Sequence, residues 1–182
     1  EVTPVMKLDW MPLYRVYEEH YGVYFRVMSH KQWHDCEAEL HRLAEYEKMV
    51  QHSTIDEVTP GFQQSEVEHA LQESGSDTGD FQHRKFRRAL PGGEFSYEIA
   101  CDPVCPVELE LLYWGAEWSS TRIALLLDGI PVAEQQTHTL LPGEWKAIAY
   151  SLPSALTTGK STLRAGIRHL EGGDGGRVFH LR

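Results

Sequence analysis

Beyond Arg87 the chain is cut by turn residues into short runs of alternating apolar character, and that pattern limits the possible folds more than any other feature. The runs are Phe95 to Ala100, Leu109 to Trp114, Ile123 to Leu127, Val132 to Thr139, Lys146 to Tyr150, Leu163 to Ile167 and Val178 to Leu181. Between them stand Pro91-Gly92-Gly93, Asp102-Pro103, Asp128-Gly129, Pro142-Gly143, Pro153, Gly159 and Gly172-Gly173. A period of two places every second side chain on one face, so each run reads as a strand with one buried side. Several such strands separated by turns predict a mainly β fold, an antiparallel β-sandwich or jelly roll. Asp128-Gly129 is the clearest hairpin signal, because both residues tolerate the positive φ of a two-residue turn.

The N-terminal part has a different pattern. Trp10, Tyr14, Tyr17, Tyr21, Tyr24 and Phe25 make it aromatic-rich, and Tyr21 to Met28 alternates as a strand would. Ser29 then caps an amphipathic helix, with Gln32 in the capping-box position. Trp33, Cys36, Leu40, Leu43 and Val50 share one face of that helix. From Ser53 to Gly79 the pattern becomes polar, with Pro60-Gly61 as a turn. The expected organisation is therefore 1–52 (strand and helix), 53–90 (linking loops) and 91–182 (sandwich). Residues 53–182 should form one folded unit with 1–52 packed on it.

The chain has 182 residues with 17 basic and 27 acidic side chains, a formal net charge of -10. That balance argues against nucleic acid and anionic membrane, both of which need clustered cations. The basic cluster from His83 to Arg88 is short, and reads as a solvated loop or strand edge rather than an anion site. No stretch approaches the roughly 18 apolar residues of a membrane span. The sequence opens on Glu1 without a basic start leading into an apolar run, so no signal peptide is expected in it. Location is left open between cytoplasm and secretion. Cys36, Cys101 and Cys105 do not suit a disulfide framework. A reduced Cys101/Cys105 pair in a turn is expected, with a local bridge as the alternative.

Several segments, taken in order, resemble one family. They begin with Pro12-Leu13-Tyr14-Arg15 and Tyr21 to Phe25, and continue through Thr54 to Val58, Pro60-Gly61, Gln63 to Glu66 and Glu68-His69. Ser76 to Gly79, Arg88-Ala89, Phe95 to Tyr97, Leu109 to Gly115, Asp128-Gly129, Tyr150 to Pro153 and Val178 to Arg182 complete the set. Together they are similar to the C-terminal region of bacterial β-L-arabinofuranosidase-like enzymes, glycoside hydrolase families 127 and 146. The resemblance implies an accessory β-sandwich of an enzyme acting on arabinose-containing glycans in polysaccharide degradation. In those enzymes the catalytic cysteines and glutamate lie in a helical barrel, and no stretch here matches it. The implied partners are an arabinose-containing oligosaccharide or polysaccharide and the parent's catalytic domain. The alternatives are a purely structural domain stabilising that barrel, or a remnant of glycosidase activity.

Candidate site residues fall into four groups. Glu66, Glu68 and His69 are the densest acid–base group, set against a structural role in tying down a loop. Trp118, beside Glu117 and Arg122 in a polar inter-strand stretch, suits carbohydrate: an indole face stacks on a sugar ring while charged neighbours bind hydroxyls. Glu73, Asp77 and Asp80 could recruit calcium, although their spacing matches no calcium loop. His30 and His34, at i,i+4 with His41 and Cys36 nearby, have zinc-like spacing but lack a convincing third ligand.

Overall fold

The computed structural model describes residues 28–115, 120–137, 143–173 and 175–182. Two compact units divide the chain between Tyr46 and Glu47. Expectations for Trp10, Tyr14, Tyr21 to Val27, Glu117, Trp118, Thr139 and Pro142 lie outside the described residues.

Helix α1 (His30–Ser53) begins with the capping box expected of it. The Gln32 amide donates to Ser29 Oγ at 3.3 Å, and the Ser29 amide donates to Gln32 Oε1 at 2.9 Å. Two otherwise orphaned N–H groups are thereby satisfied. No residue of α1 is buried, and Trp33, Leu40, Leu43, Tyr46 and Met49 lie exposed along it.

The unit from Glu47 onward is an antiparallel β-sandwich. Its strands are β1 (Gln72–Phe81), β2 (Arg84–Ala100), β3 (Glu108–Trp114), β4 (Thr121–Leu127), β5 (Ile130–Gln136), β6 (Trp145–Ser151), β7 (Thr162–Gly172) and β8 (His180–Leu181). Two short helices join them, α2 (Gln63–Glu68) and α3 (Ser154–Thr157). One sheet runs β1-β2-β7-β4-β5 and the other β6-β3-β8. The alternation read from the sequence is what fills the space between them. Phe95, Tyr97 and Ile99 of β2, Leu163, Ala165 and Ile167 of β7, and Ile123, Leu125 and Leu127 of β4 face Leu109, Leu111 and Tyr113 of β3 in one core. Burying a side chain of this size contributes roughly 1.5–3 kcal/mol, so this inner layer is the main source of stability. Asp128 and Gly129 form the two-residue turn between β4 and β5, at φ +50° and +81°.

A second, aromatic cluster gathers Phe86, Trp114 and Phe179, with Phe81 and Trp145 packed against them. Trp145 lies 5.0 Å from Trp114 and 4.8 Å from Phe179, both edge-on. Such edge-to-face pairs add roughly 0.5–1.5 kcal/mol beyond area burial.

The region read as linking loops is instead part of the sandwich. Polar Gln72–Phe81 is the edge strand β1, and β2 begins at Arg84, so the basic cluster spans a hairpin turn and a strand. Strand character was hidden because an edge strand has little apolar surface to bury, and here its polar side chains meet cations of β2. Pro91-Gly92-Gly93 does not end β2 either. The register shifts between Ser74 and Ser76, so the extra residues of β2 are absorbed in a bulge. Gly93 packs so closely there that a Cβ would overlap the Gly75 carbonyl oxygen. Val58 then closes the small sheet by pairing with Leu181 through bonds of 2.7 and 3.0 Å.

Gly93→Ala should therefore destabilise the protein by about 1–3 kcal/mol, the usual effect of forcing a methyl into filled space. Chemical denaturation measures this, and an unchanged midpoint would mean that the bulge does not need the close approach.

Candidate functional site

The three acid–base candidates serve the fold. Glu66 lies on α2 and is buried. Its Oε1 accepts from Arg87 Nε at 2.7 Å, the Gly61 amide at 2.7 Å and the Tyr97 hydroxyl at 2.8 Å, while Oε2 accepts from Arg87 Nη2 at 2.9 Å. Burial alone would raise its pKa; the Arg87, Gly61 and Tyr97 donors outweigh that and hold it below the ordinary glutamate value. Burial and the same carboxylate push the Tyr97 phenol up. Glu68, two residues along the helix, is exposed and accepts from Gln64 at 2.7 Å. Two positions two apart on a helix do not share a face. The alternative of Glu66 and Glu68 as paired catalytic carboxylates does not fit this geometry: one is sealed in an ion pair and the other turned to solvent.

His69 is a fastener. Its Nδ1 lies 2.6 Å from the Ser65 carbonyl and its Nε2 3.0 Å from Asp56 Oδ1. Neither partner has a proton to give, so the protonated ring, with both nitrogens donating, is the form these contacts favour. Burial would lower its pKa, but the Ser65 carbonyl and the Asp56 carboxylate outweigh it and raise it above 6.5. Asp56 also accepts from the Ala100 amide at 2.7 Å, so the pair ties the segment before Val58 to β2.

The calcium candidates are separately occupied. Glu73 accepts from Arg87 Nη1 at 2.5 Å and bonds Ser76 Oγ. Asp77 forms a two-point pair with Arg88 at 2.7 and 2.9 Å, and Asp80 meets Lys85 at 2.8 Å. All three side chains answer the basic residues of β2 instead of converging. Among the described residues no three His, Cys, Asp or Glu side chains gather as a cation site. The His30 and His34 rings lie 4.5 Å apart and tilted on α1, and His34 is 3.5 Å from Glu37. Cys36, Cys101 and Cys105 are free thiols.

Of the carbohydrate trio, Arg122 is placed and Trp118 and Glu117 lie outside the described residues. Arg122 sits at the start of β4 between Glu134 at 3.4 Å and Glu171 at 3.2 Å. The ends of the connection carrying Trp118 are firmly anchored. The Gly115 amide donates to the Glu144 carbonyl at 2.9 Å, and Ser120 Oγ accepts from Gln136 at 3.2 Å. Next to them Thr121, fully buried, donates to the Gly173 carbonyl at 3.1 Å and accepts from the Gly175 amide at 2.9 Å. Thr137 Oγ1 donates to the Thr121 carbonyl at 3.3 Å, and Gly173 N donates to the Ser120 carbonyl at 3.2 Å. Three connections, after β3, β5 and β7, are thus bonded together at one end of the sandwich.

The aromatic cluster adjoins this end, since Trp114 leads directly into Gly115. Two guanidinium groups cap it. Arg84 lies 4.9 Å above the Trp145 ring, and Arg177 lies 5.1 Å above Phe86 and 5.7 Å above Phe81. Sequence reading placed Arg84 in a basic cluster without its stacking partner Trp145, and missed Thr121. The first two are far apart in the chain and meet only because the β1–β2 hairpin reaches the small sheet, while a lone buried threonine leaves no periodic signal.

Two predictions follow from the buried charges. Glu66→Gln removes the charge facing a buried guanidinium and should cost about 3 kcal/mol, the low end for breaking a buried pair because Glu73 remains; a denaturation midpoint within error of wild type would contradict the network. His69 stabilises the fold fully below its unfolded pKa of about 6.5, and that contribution is lost as pH rises through its higher folded value. A wild-type minus His69→Asn stability difference should therefore shrink as pH is raised from 6, and a flat difference would show a neutral ring.

None of the curated proteins matches this sequence. Among solved structures, a family 35 carbohydrate binding module from Clostridium thermocellum is similar at a TM-score of 0.51 and 9% identity, covering 69% of this chain and 95% of that one. A family 35 module from an environmental isolate gives 0.46 at 13% identity, covering 61% and 82%. Carbohydrate-binding module CBM36 in complex with calcium and xylotriose gives 0.45 at 11%, covering 69% and 97%. The first likeness shows a shared β-sandwich fold. Residues 49–182 match the family of unknown function DUF6805, and the chain belongs to that family.

Proposed function

We propose that this chain is a glycan-binding accessory β-sandwich, and that the connection bearing Trp118 holds the sugar. The observation that carries the reading is the pair of anchors on that connection. Gly115 and Ser120 are both bonded to neighbouring loops, and the buried Thr121–Gly173–Gly175 bonds stiffen the same end. A loop held at both ends can present an indole at low entropic cost, which is what stacking on a sugar requires. Arg122, two residues beyond Ser120, holds Glu134 and Glu171, each about half exposed, and these three are the hydroxyl partners in this reading. The shared fold with a family 35 carbohydrate binding module supports the reading.

The ligand we assign is an arabinose-containing oligosaccharide or polysaccharide. The catalytic domain of a β-L-arabinofuranosidase-like glycoside hydrolase is its partner in the parent protein. Both assignments rest on the resemblance of the Thr54 to His69 segment and the terminal strands to that family. Turnover by the chain itself is not part of the reading, because Glu66 is ion-paired and buried.

Trp118→Ala should abolish calorimetric binding of arabino-oligosaccharides while leaving the melting temperature within a degree or two of wild type. Retained affinity, or lost stability with retained affinity, would mean that the indole packs and does not bind. Binding in calcium and in chelator should be compared in the same titration.

A further inference from the structure

We propose that the open edge of β6 pairs with β6 of a second copy of this chain, the two strands running antiparallel about a two-fold axis at Ile148. The result is one continuous sheet, in which β8-β3-β6 of one copy is followed by β6-β3-β8 of the other. This assembly stands independently of glycan binding.

The first observation is where β6 directs its main-chain groups. Among the described strands its only neighbour is β3. The Gly115 amide donates to the Glu144 carbonyl at 2.9 Å and the Leu152 amide to the Val107 carbonyl at 3.1 Å. Between these bonds the register runs unbroken from Glu108–Ser151 to Trp114–Trp145. Antiparallel ladders alternate, so Lys146, Ile148 and Tyr150 spend their N–H and C=O groups on β3. Trp145, Ala147, Ala149 and Ser151 turn theirs outward. The phase agrees with β3 itself, whose Glu110 and Leu112 bond to Arg182 and Phe179 on its other side.

The second observation is that β6 lacks the guards of the other edges. An open edge strand is a template for pairing, which proteins block with proline, charge, bulges or brevity. β1 carries Glu73, Asp77 and Asp80 and shifts register between Ser74 and Ser76. β5 contains Pro131, and its register with β4 shifts between Leu125 and Leu126. β8 is two residues long, and Val58 closes it by pairing with Leu181. β6 is seven residues, Trp-Lys-Ala-Ile-Ala-Tyr-Ser, with one charge, no proline or glycine, and a straight register.

Self-complementarity identifies the occupant, because a two-fold interface must match the same patch to itself. With the axis at Ile148, Ala147 faces the partner's Ala149 and Trp145 faces the partner's Ser151, each pair exchanging main-chain hydrogen bonds. These side chains share the outer face, since Lys146, Ile148 and Tyr150 stand opposite the buried Tyr113, Leu111 and Leu109. The alanines are small and exposed, and the indole meets a serine rather than another ring. On the inner face Ile148 meets its own copy in the closer, non-hydrogen-bonded position, and Lys146 meets Tyr150. Ile148 and Tyr150 are only partly buried against the core within one copy, so pairing extends their cover. No like charges oppose each other along the strand, although the whole chain has a formal net charge of -10. Because the strands are antiparallel, the ends that carry Gly115 and Thr121 lie at opposite ends of the dimer.

The test is sedimentation equilibrium of the full chain from micromolar to millimolar concentration, since an interface made by one strand edge is small and its dimer reversible. The mass should rise from 20.8 kDa toward twice that value. It should rise further at high salt, which screens the repulsion between two acidic copies. Ala149→Pro removes a donor from the open edge and none from the β3 ladder, and should keep the chain monomeric. The double variant Ala147→Lys/Ala149→Lys sets like charges opposite each other and should be monomeric, as should Ala147→Glu/Ala149→Glu. An equimolar mixture of the two double variants should dimerise again. In hydrogen exchange of wild type, the Ala147 and Ala149 amides should gain protection with concentration while those of Ile148 and Tyr150 stay unchanged. A wild type that is monomeric throughout would overturn the pairing and leave the edge to a strand of another kind. A dimer that survives both double variants would overturn it by placing the interface elsewhere, and so would a mixture that stays monomeric. Should Ala149→Pro fail to fold, the charge variants, at exposed positions, decide alone.

Discussion

A single guanidinium, that of Arg87, connects the parts of the sandwich that come from different regions of the chain. Its side chain pairs with Glu66 of α2 and Glu73 of β1, and its backbone pairs with Val178 ahead of β8 at 3.1 and 2.9 Å. Removing such a charge from water costs several kcal/mol, and the attraction repays that only when every donor is matched. Here the match includes the Tyr97 hydroxyl and the Gly61 amide on the same carboxylate. Gly61 is forced by the same arrangement: it stands at φ +79°, and a Cβ there would lie 2.6 Å from the Phe86 carbonyl oxygen. The network sets the position of α2, and with it the seat of β1 on the sheet edge.

This has a consequence for chemistry. Glu68 aside, the carboxylates that the sequence nominates for acid–base or calcium work are ones the fold consumes. Glu66, Glu73, Asp77 and Asp80 answer Arg87, Arg88 and Lys85 across one hairpin, and Asp56 answers His69. Beside that hairpin, where β3 ends, Arg84 lies over Trp145 and the anchored connections begin, so the charges that build the sandwich adjoin the aromatic cluster along one strand.

How much of this the sequence reveals depends on whether a residue's role is periodic. The inner strands were legible because Phe95, Tyr97, Ile99 and their counterparts alternate over enough residues to define a face. Asp128-Gly129 was legible because the residues themselves favour the turn. The Gln82-His83 turn uses the same geometry without the signature, so β1 and the first half of β2 read as loop. Arg87 and Glu66, 21 residues apart, carry no mark of their pairing; it exists only once α2 and β2 are in place. Arg122 stands out in the sequence only as a neighbour of an inter-strand connection, whereas Glu134 and Glu171 reach it from two other strands and carry no mark of that pairing.

The central claim, that ligand recognition sits at the loop end while the Glu66–His69 region only holds the fold, is tested most directly by a backbone amide NMR titration. The ligand series would be arabino-oligosaccharides of increasing length, in calcium and in chelator. The account predicts saturable shifts clustered at Gly115, Ser120, Thr121, Arg84 and Trp145, with Glu66, His69 and Arg87 silent. Shifts centred on Glu66 to His69, or a folded spectrum that ignores every sugar, would contradict it.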